Sequence, residues 1–426
     1  MVCRKGRYRI MNINRLLFFN NIRNDEIVRM AAAVDLAAAE NNCGREEEDM
    51  YYELQRRLLE AVPTGDTEGT IWENYIYRLV AESENSFSLK AECGRVDDMT
   101  MKLAASDISD IKAVLALDWK RAEASCRDSK ECICTLTPAV KEDGRASRVK
   151  AALSMEDPSE AAAALRDYYA ENFCGILGKF RAFMWDGKLT GIKNQDPVTF
   201  DDLIGYQVQQ EQLIRNTEVF VKGRRSNNVL LYGDKGTGKS SSVKALLNRF
   251  GDQGLRMINI PKSRIFDIGS IMESLSGRGC KFILFIDDLS FENTEIEYKH
   301  FKSVLEGGVE VQPDNVLLYV TSNRRNLVKE TWKDRNDSEG EVHVNDGIHE
   351  RQSLADRFGL KINFSSPDKL LYKEIVRSIA KKQGIEIDEE VLLNEANKWD
   401  MRQTSRSGRS AKQFVTHIAG MQQEVQ

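Results

Sequence analysis

The stretch Val229-Leu230-Leu231-Tyr232-Gly233-Asp234-Lys235-Gly236-Thr237-Gly238-Lys239-Ser240 decides how this chain folds. Four apolar residues lead into a loop that matches G-x-x-x-x-G-K-[ST] at each fixed position, and a helical pattern follows over 240–250. Strand, glycine-rich loop and helix start, in that order, make a phosphate-binding unit. The glycines permit backbone conformations that turn successive N–H groups inward around a β-phosphate. Lys239 brings positive charge to the β/γ-phosphates, Ser240 offers a hydroxyl to Mg²⁺, and the helix start favours an anion. Residues Gly233, Asp234, Lys235, Gly236, Thr237, Gly238, Lys239, Ser240 and Ser241 are the expected nucleotide-phosphate contacts.

Such a loop needs an acidic partner at the end of a neighbouring strand to hold Mg²⁺. Phe282-Ile283-Leu284-Phe285-Ile286-Asp287-Asp288 supplies an apolar strand ending in two carboxylates, with Asp287 standing 48 residues beyond Lys239. The bland reading is a strand entering a polar turn; the intervening strand–helix unit favours Asp287 as the metal residue. Further apolar runs at 255–260, 316–320 and 360–364 alternate with helical patterns near 263–276 and 295–305. Short apolar strands separated by helices predict an α/β core with a parallel sheet between helices. After Pro367 the pattern is helical over 368–383, 388–399 and 410–421, which reads as a C-terminal lid.

Towards the amino terminus the texture changes. Apolar spacings of three and four predict helices over 25–40, 46–59, 70–81 and 106–120, with Ser106 as a helix start and another helix over 161–169 behind Pro158. An aperiodic stretch at 186–197 reads as a linker. The expected division is an all-helical region 1–185 for partner or substrate recruitment, a linker 186–198, a nucleotide core 199–366 and a lid 367–426. The 426 residues carry 61 Lys+Arg against 66 Asp+Glu, a net charge of −5, which argues against a globally basic nucleic-acid binder. Eight irregularly spaced cysteines read as reduced thiols of a cytoplasmic protein. No run approaches the roughly eighteen apolar residues of a membrane span.

Together, Thr199-Phe200-Asp201-Asp202-Leu203-Ile204-Gly205, the phosphate loop and the Asp287-Asp288 strand resemble the nucleotide module of AAA+ ATPases. The phrases FILFIDDLSFE, LEGGVEVQPDNVLLYVTSNRRNLV and LADRFGLKINF resemble the bacterial group known as domain-of-unknown-function family 815, over about 165–420. The resemblance implies ATP and Mg²⁺ as cofactors, assembly into a homo-oligomer and remodelling of a macromolecular partner. It implies that Asn323, in Thr321-Ser322-Asn323, orients the attacking water; a turn Asn is the bland reading. Arg357, in Ser353-Leu354-Ala355-Asp356-Arg357-Phe358, would reach a neighbouring subunit's nucleotide, against a surface salt bridge with Asp356. Arg409 would approach the same phosphate in cis, with Arg406 as its rival. Ile204 and Gly205 would pack near the adenine.

Two departures qualify the resemblance. The family usually has Glu after the metal-binding Asp, where this chain has Asp288, one methylene shorter. Slow, partner-stimulated hydrolysis follows, with Asp288 or Glu292 activating water. The stretch 261–269 lacks the aromatic–hydrophobic–Gly loop of protein-threading relatives, and Phe266 reads as core. The alternatives to a working ATPase are an ATP-sensing scaffold with little turnover and a nucleic-acid loader using Arg324, Arg325 and Lys329. In single-turnover assays, Asp288→Asn or Glu292→Gln is expected to slow phosphate release; unchanged release in both would sink the water-activating assignment.

Overall fold

The computed structural model describes residues 12–40, 44–61, 69–125, 132–136, 144–291, 295–306, 312–324, 327, 354–385, 387–402 and 406–423. It divides into two compact units, Met1–Lys179 and Phe180–Gln426. No helix among the described residues is long and apolar enough to cross a membrane.

The described part of the first unit holds α1 (Asn20–Asn24), α2 (Glu26–Glu40), α3 (Arg45–Ala61), α4 (Ile71–Ala81), α5 (Ser86–Glu92), α6 (Asp98–Leu115), α7 (Trp119–Ser125), α8 (Gly144–Leu153), α9 (Pro158–Asn172) and α10 (Gly175–Lys179). Local chemistry sets the boundaries. Thr70 and Glu73 form a reciprocal capping box on α4, Asn85 caps α5, and Pro158 occupies the first turn of α9 behind Asp157. Phe19, Tyr51, Trp72, Phe87 and Tyr169 fill one apolar core.

Ser106 is not a helix start. The cap is Asp97, whose side chain accepts from the Thr100 N–H, so α6 begins eight residues earlier and ends at Leu115. Asp107, in mid-helix, is buried and serves a different purpose: its carboxylate accepts the backbone N–H groups of Leu17 at 3.0 Å and Phe18 at 2.7 Å. It thereby supplies acceptors to a segment that precedes the first α-helix and lacks a ladder of its own.

In the second unit the strands are β1 (Ala182–Trp185), β2 (Leu189–Gly191), β3 (Val229–Gly233), β4 (Leu255–Asn259), β5 (Lys281–Ile286), β6 (Val316–Ser322) and β7 (Leu360–Phe364). They form one sheet in the order β2-β1-β4-β5-β6-β3-β7, parallel except for the β1–β2 pair. Its helices are α11 (Gln207–Val221), α12 (Lys239–Phe250), α13 (Ile268–Leu275) and α14 (Glu295–Glu306). Val229, Leu231, Ile283, Phe285 and Tyr319 face Leu213 and Phe220 of α11 and Val243 and Leu246 of α12. Leu230, Leu284, Leu318 and Val320, on the opposite face, are equally buried. Burial on both faces is why these strands read as continuous apolar runs. The lid comprises α15 (Lys369–Lys382), α16 (Glu389–Met401) and α17 (Gly408–Gln423), packed through Tyr372, Ile375, Leu392, Phe414 and Val415. This is the parallel α/β core with a C-terminal helical lid that the motifs imply.

Two readings need correction. Part of the aperiodic stretch 186–197 is strand β2, paired with β1 (Phe183↔Gly191, Met184↔Thr190), so it extends the sheet edge instead of crossing free as a linker. Three residues are too few to show a period of two. Phe266 is not core: it is 48% exposed, with its ring 4.9 Å from that of His300. The expected helix over 263–276 starts as a 3-10 turn, Lys262–Asp267, kinked at Arg264, and there Ile265 takes the buried position.

Removing the Asp107 carboxylate strands two or more backbone donors in a buried place. Asp107→Ala is expected to lower the stability of the full chain by about 2–3 kcal/mol in urea denaturation followed by helical circular dichroism.

Candidate functional site

Register brings the site together. In the parallel ladder Ile286 pairs with Val320 and Tyr232 with Ser322, so the ends of β5, β6 and β3 reach the same edge of the sheet. Asp287 thus emerges beside Thr321 and opposite the start of α12. Ser240 Oγ donates to Asp287 Oδ1 at 2.5 Å, and Thr321 Oγ1 donates to the same oxygen at 2.5 Å. Asp288 follows with φ of 51°, a left-handed conformation that Asp tolerates better than most residues. Its backbone N–H donates to Thr321 Oγ1 at 2.8 Å, and the Asn323 amide donates to its carboxylate.

Lys239 lies folded within its own loop. Its ammonium donates to the carbonyls of Gly233 at 2.8 Å and Asp234 at 2.6 Å and to Asn323 Oδ1 at 3.3 Å. Burial pushes its pKa down, while Asp234, Asp288 and Asp287 pull it back up. A buried, flexible cation surrounded by carbonyl oxygens, next to N–H groups at a helix start, is suited to an oxyanion ligand.

Around these residues lies a cleft of about 800 Å³. Lys235, Gly236, Thr237, Gly238, Lys239, Ser240 and Ser241 form one wall, with Asp287, Asp288 and Asn323 beside them. Leu203, Ile204, Tyr206, Ile375 and Ile379 make the apolar end, and Arg409 and Lys412 of the lid helix α17 also line the cleft. Lid and loop meet directly: the Arg409 N–H donates to Gly236 O at 3.2 Å. Gly236 has φ of +76°, and a Cβ there would stand 2.9 Å from Ser407 Oγ and 3.1 Å from the Arg409 Cβ. Across the apolar end Lys382 of the lid bonds Asp202 at 2.9 Å. The Thr199 backbone N–H, and then Lys382, hold the Asp202 carboxyl down at about 2.

The structure sorts the expected residues. Arg409 lines the cleft; its rival Arg406 is paired with Asp400 at 2.7 Å. Ile204 lines it too. Gly205 does not, and its φ of +80° and the Leu371 methyl only 2.7 Å from a would-be Cβ make it a close-approach point beneath the lid. Gly233 and Asp234 hold Lys239 from behind without lining the cleft. Arg357 is exposed and does not line the cleft, while Asp356 pairs with Lys361 at 2.7 Å. Glu292, Arg325, Lys329 and Ser353 lie outside the described residues. Sequence reasoning missed Thr321, Asp202, Lys382 and the lid residues Ile375 and Ile379. Thr321 stood inside a quoted motif, but only strand register discloses that its hydroxyl meets Asp287.

The family described as "Protein of unknown function (DUF815)" matches residues 178–422, more than half of the chain. The chain belongs to this family. No curated protein matches the sequence. Among solved structures the chain is similar to the Thermotoga maritima RuvB Holliday junction branch migration motor, at 19% identity and a TM-score of 0.39, over 54% of this chain and 66% of that one. A single-substitution variant of the same RuvB gives 20% identity, the same TM-score and the same coverage. The chain thus spans just under two thirds of the length of those RuvB chains.

Gly236 is where loop and lid permit no side chain. Gly236→Ala is expected to weaken binding of a fluorescent ATP analogue by about tenfold or more, read by anisotropy titration, because the loop must leave its left-handed turn and push back α17.

Proposed function

We propose that this chain binds Mg-ATP and hydrolyses it, coupling nucleotide state to assembly and to remodelling of a macromolecular partner. The observation that carries the reading is the meeting of Ser240, Asp287, Lys239 and Asn323 at one end of a lidded cleft. The Ser240 hydroxyl and the Asp287 carboxylate are hard oxygen donors in contact, a set that suits Mg²⁺. Bound there, the ion would neutralise charge on the phosphates. Lys239 would turn from the loop carbonyls to the β/γ-phosphates, and the apolar end at Ile204, Ile375 and Ile379 would take the base.

The chain's own residues then divide the work. Asp288, its carboxylate held by the Asn323 amide, would polarise the attacking water, and Asn323 would orient it. Arg409 would reach the phosphates from the lid, transmitting nucleotide state to the angle of α17. Arg357, exposed and outside the cleft, suits a role in a neighbouring subunit's site. The helical first unit would recruit the partner.

A second reading, an ATP-sensing scaffold with little turnover, draws on one observation. Asp288 is short, and one of its oxygens is already engaged by Asn323. Steady-state phosphate release separates the two. Lys239→Ala is expected to reduce release to about a tenth of wild type or less. Release per subunit should rise with protein concentration in the wild type and stay flat in Arg357→Ala. Nucleotide binding without release above the Lys239→Ala level, at any protein concentration, would establish the scaffold instead.

A further inference from the structure

Thr321 carries none of the roles assigned above, yet its hydroxyl is the point where the two carboxylates of the site are joined. It is 1% exposed. A buried threonine on a strand satisfies its hydroxyl with a single acceptor, commonly a carbonyl of its own segment. Here the hydroxyl is used in both directions, and both partners are consecutive residues of another strand's end. Oγ1 donates to Asp287 Oδ1 at 2.5 Å and accepts the Asp288 N–H at 2.8 Å. The turn that follows is also wrapped on this residue: Leu289 N–H donates to Thr321 O at 2.8 Å, and Ser322 Oγ donates to Leu289 O at 2.8 Å.

The geometry has two consequences. Asp287 Oδ1 takes hydroxyl donors from Ser240 and Thr321, so one carboxylate oxygen is fixed from two sides. A carboxylate with one anchored oxygen has a set rotamer, which leaves its other oxygen presented in a constant direction. Asp288, for its part, stands in a left-handed conformation with φ of 51° that a non-glycine residue holds only when its surroundings impose it. The Thr321 hydroxyl is the acceptor that takes the N–H of that residue.

We propose that Thr321 is a positioning residue for the reaction: through one hydroxyl it sets the metal-facing carboxylate of Asp287 and the turn that aims the carboxylate of Asp288. The proposal rests on the Mg-ATP reading given above. It predicts that the hydroxyl, and not the branched shape, is what the site requires. Thr321→Val keeps the shape and removes the hydroxyl; Thr321→Ser keeps the hydroxyl and removes the methyl.

The experiment compares both variants with the wild-type full chain by phosphate release and by titration of Mg²⁺ into the complex with the fluorescent analogue mant-ATP. In Thr321→Val, turnover should fall by about tenfold or more and half-saturating Mg²⁺ should rise about fivefold, while mant-ATP affinity without metal stays within about threefold. Thr321→Ser should restore both to within about threefold of wild type. Wild-type behaviour of Thr321→Val in both readouts would overturn the proposal. So would a serine variant as impaired as the valine one, since that assigns the defect to packing of the methyl. Equal loss of metal-free mant-ATP binding and of thermal stability in Thr321→Val would overturn it too, in favour of a structural role. If wild-type turnover does not exceed that of Lys239→Ala, hydrolysis fails as a reading, and the Mg²⁺ titration still decides the role of Thr321.

Discussion

A parallel sheet delivers the C-terminal ends of its strands to one edge, and the register of adjacent strands decides which side chains meet there. In this chain Ile286 lies opposite Val320, and Tyr232 opposite Ser322. Because successive side chains alternate between faces, a slip of one residue would send the carboxylate of Asp287 to the wrong side of the sheet. That register is held by the apolar sequence itself. Leu231, Ile283, Phe285 and Tyr319 face α11 and α12, whereas Leu230, Leu284 and Leu318 face the other way, and all are buried. The contacts among Ser240, Asp287 and Thr321 follow from packing that takes place well away from them.

The second constraint is the closeness of lid and loop. Gly236 and Gly205 stand where a side chain would meet Ser407 and Leu371 respectively, and both adopt left-handed conformations. The lid is therefore not a separate module attached by a linker; it touches the glycine-rich loop through the Arg409 N–H and the apolar end of the cleft through Lys382 and Asp202. Both α15 and α17 contribute residues to the lining of the cleft.

Much of this was legible beforehand. The phosphate loop and the Asp287 strand could be read because each depends on a local pattern, a strand running into a turn or a helix start, whereas Asn323 and Arg409 rested on the resemblance to AAA+ ATPases. Where reading failed, the cause was a lack of local signal. Strand β2 has three residues and no room for a period. Ser106 resembled a cap, yet Asp97 was the residue whose side chain reached a free helix N–H. Phe266 looked like core by composition, and a kink at Arg264 gave the buried position to Ile265 instead.

By itself the sequence determined the elements around the cleft and the chemistry they carry: a glycine-rich loop before a helix, an apolar strand ending in two aspartates, and a lid of amphipathic helices. Those properties reside in short stretches, where backbone preference and hydrophobic period act over a few residues. Tertiary structure alone decided that Thr321 bridges Asp287 and Asp288, that Arg409 and not Arg406 faces the cleft, and that Lys382 reaches Asp202. Each of these depends on two segments far apart in the chain arriving at hydrogen-bond distance. Strand register and helix packing set that distance, and no single segment encodes it.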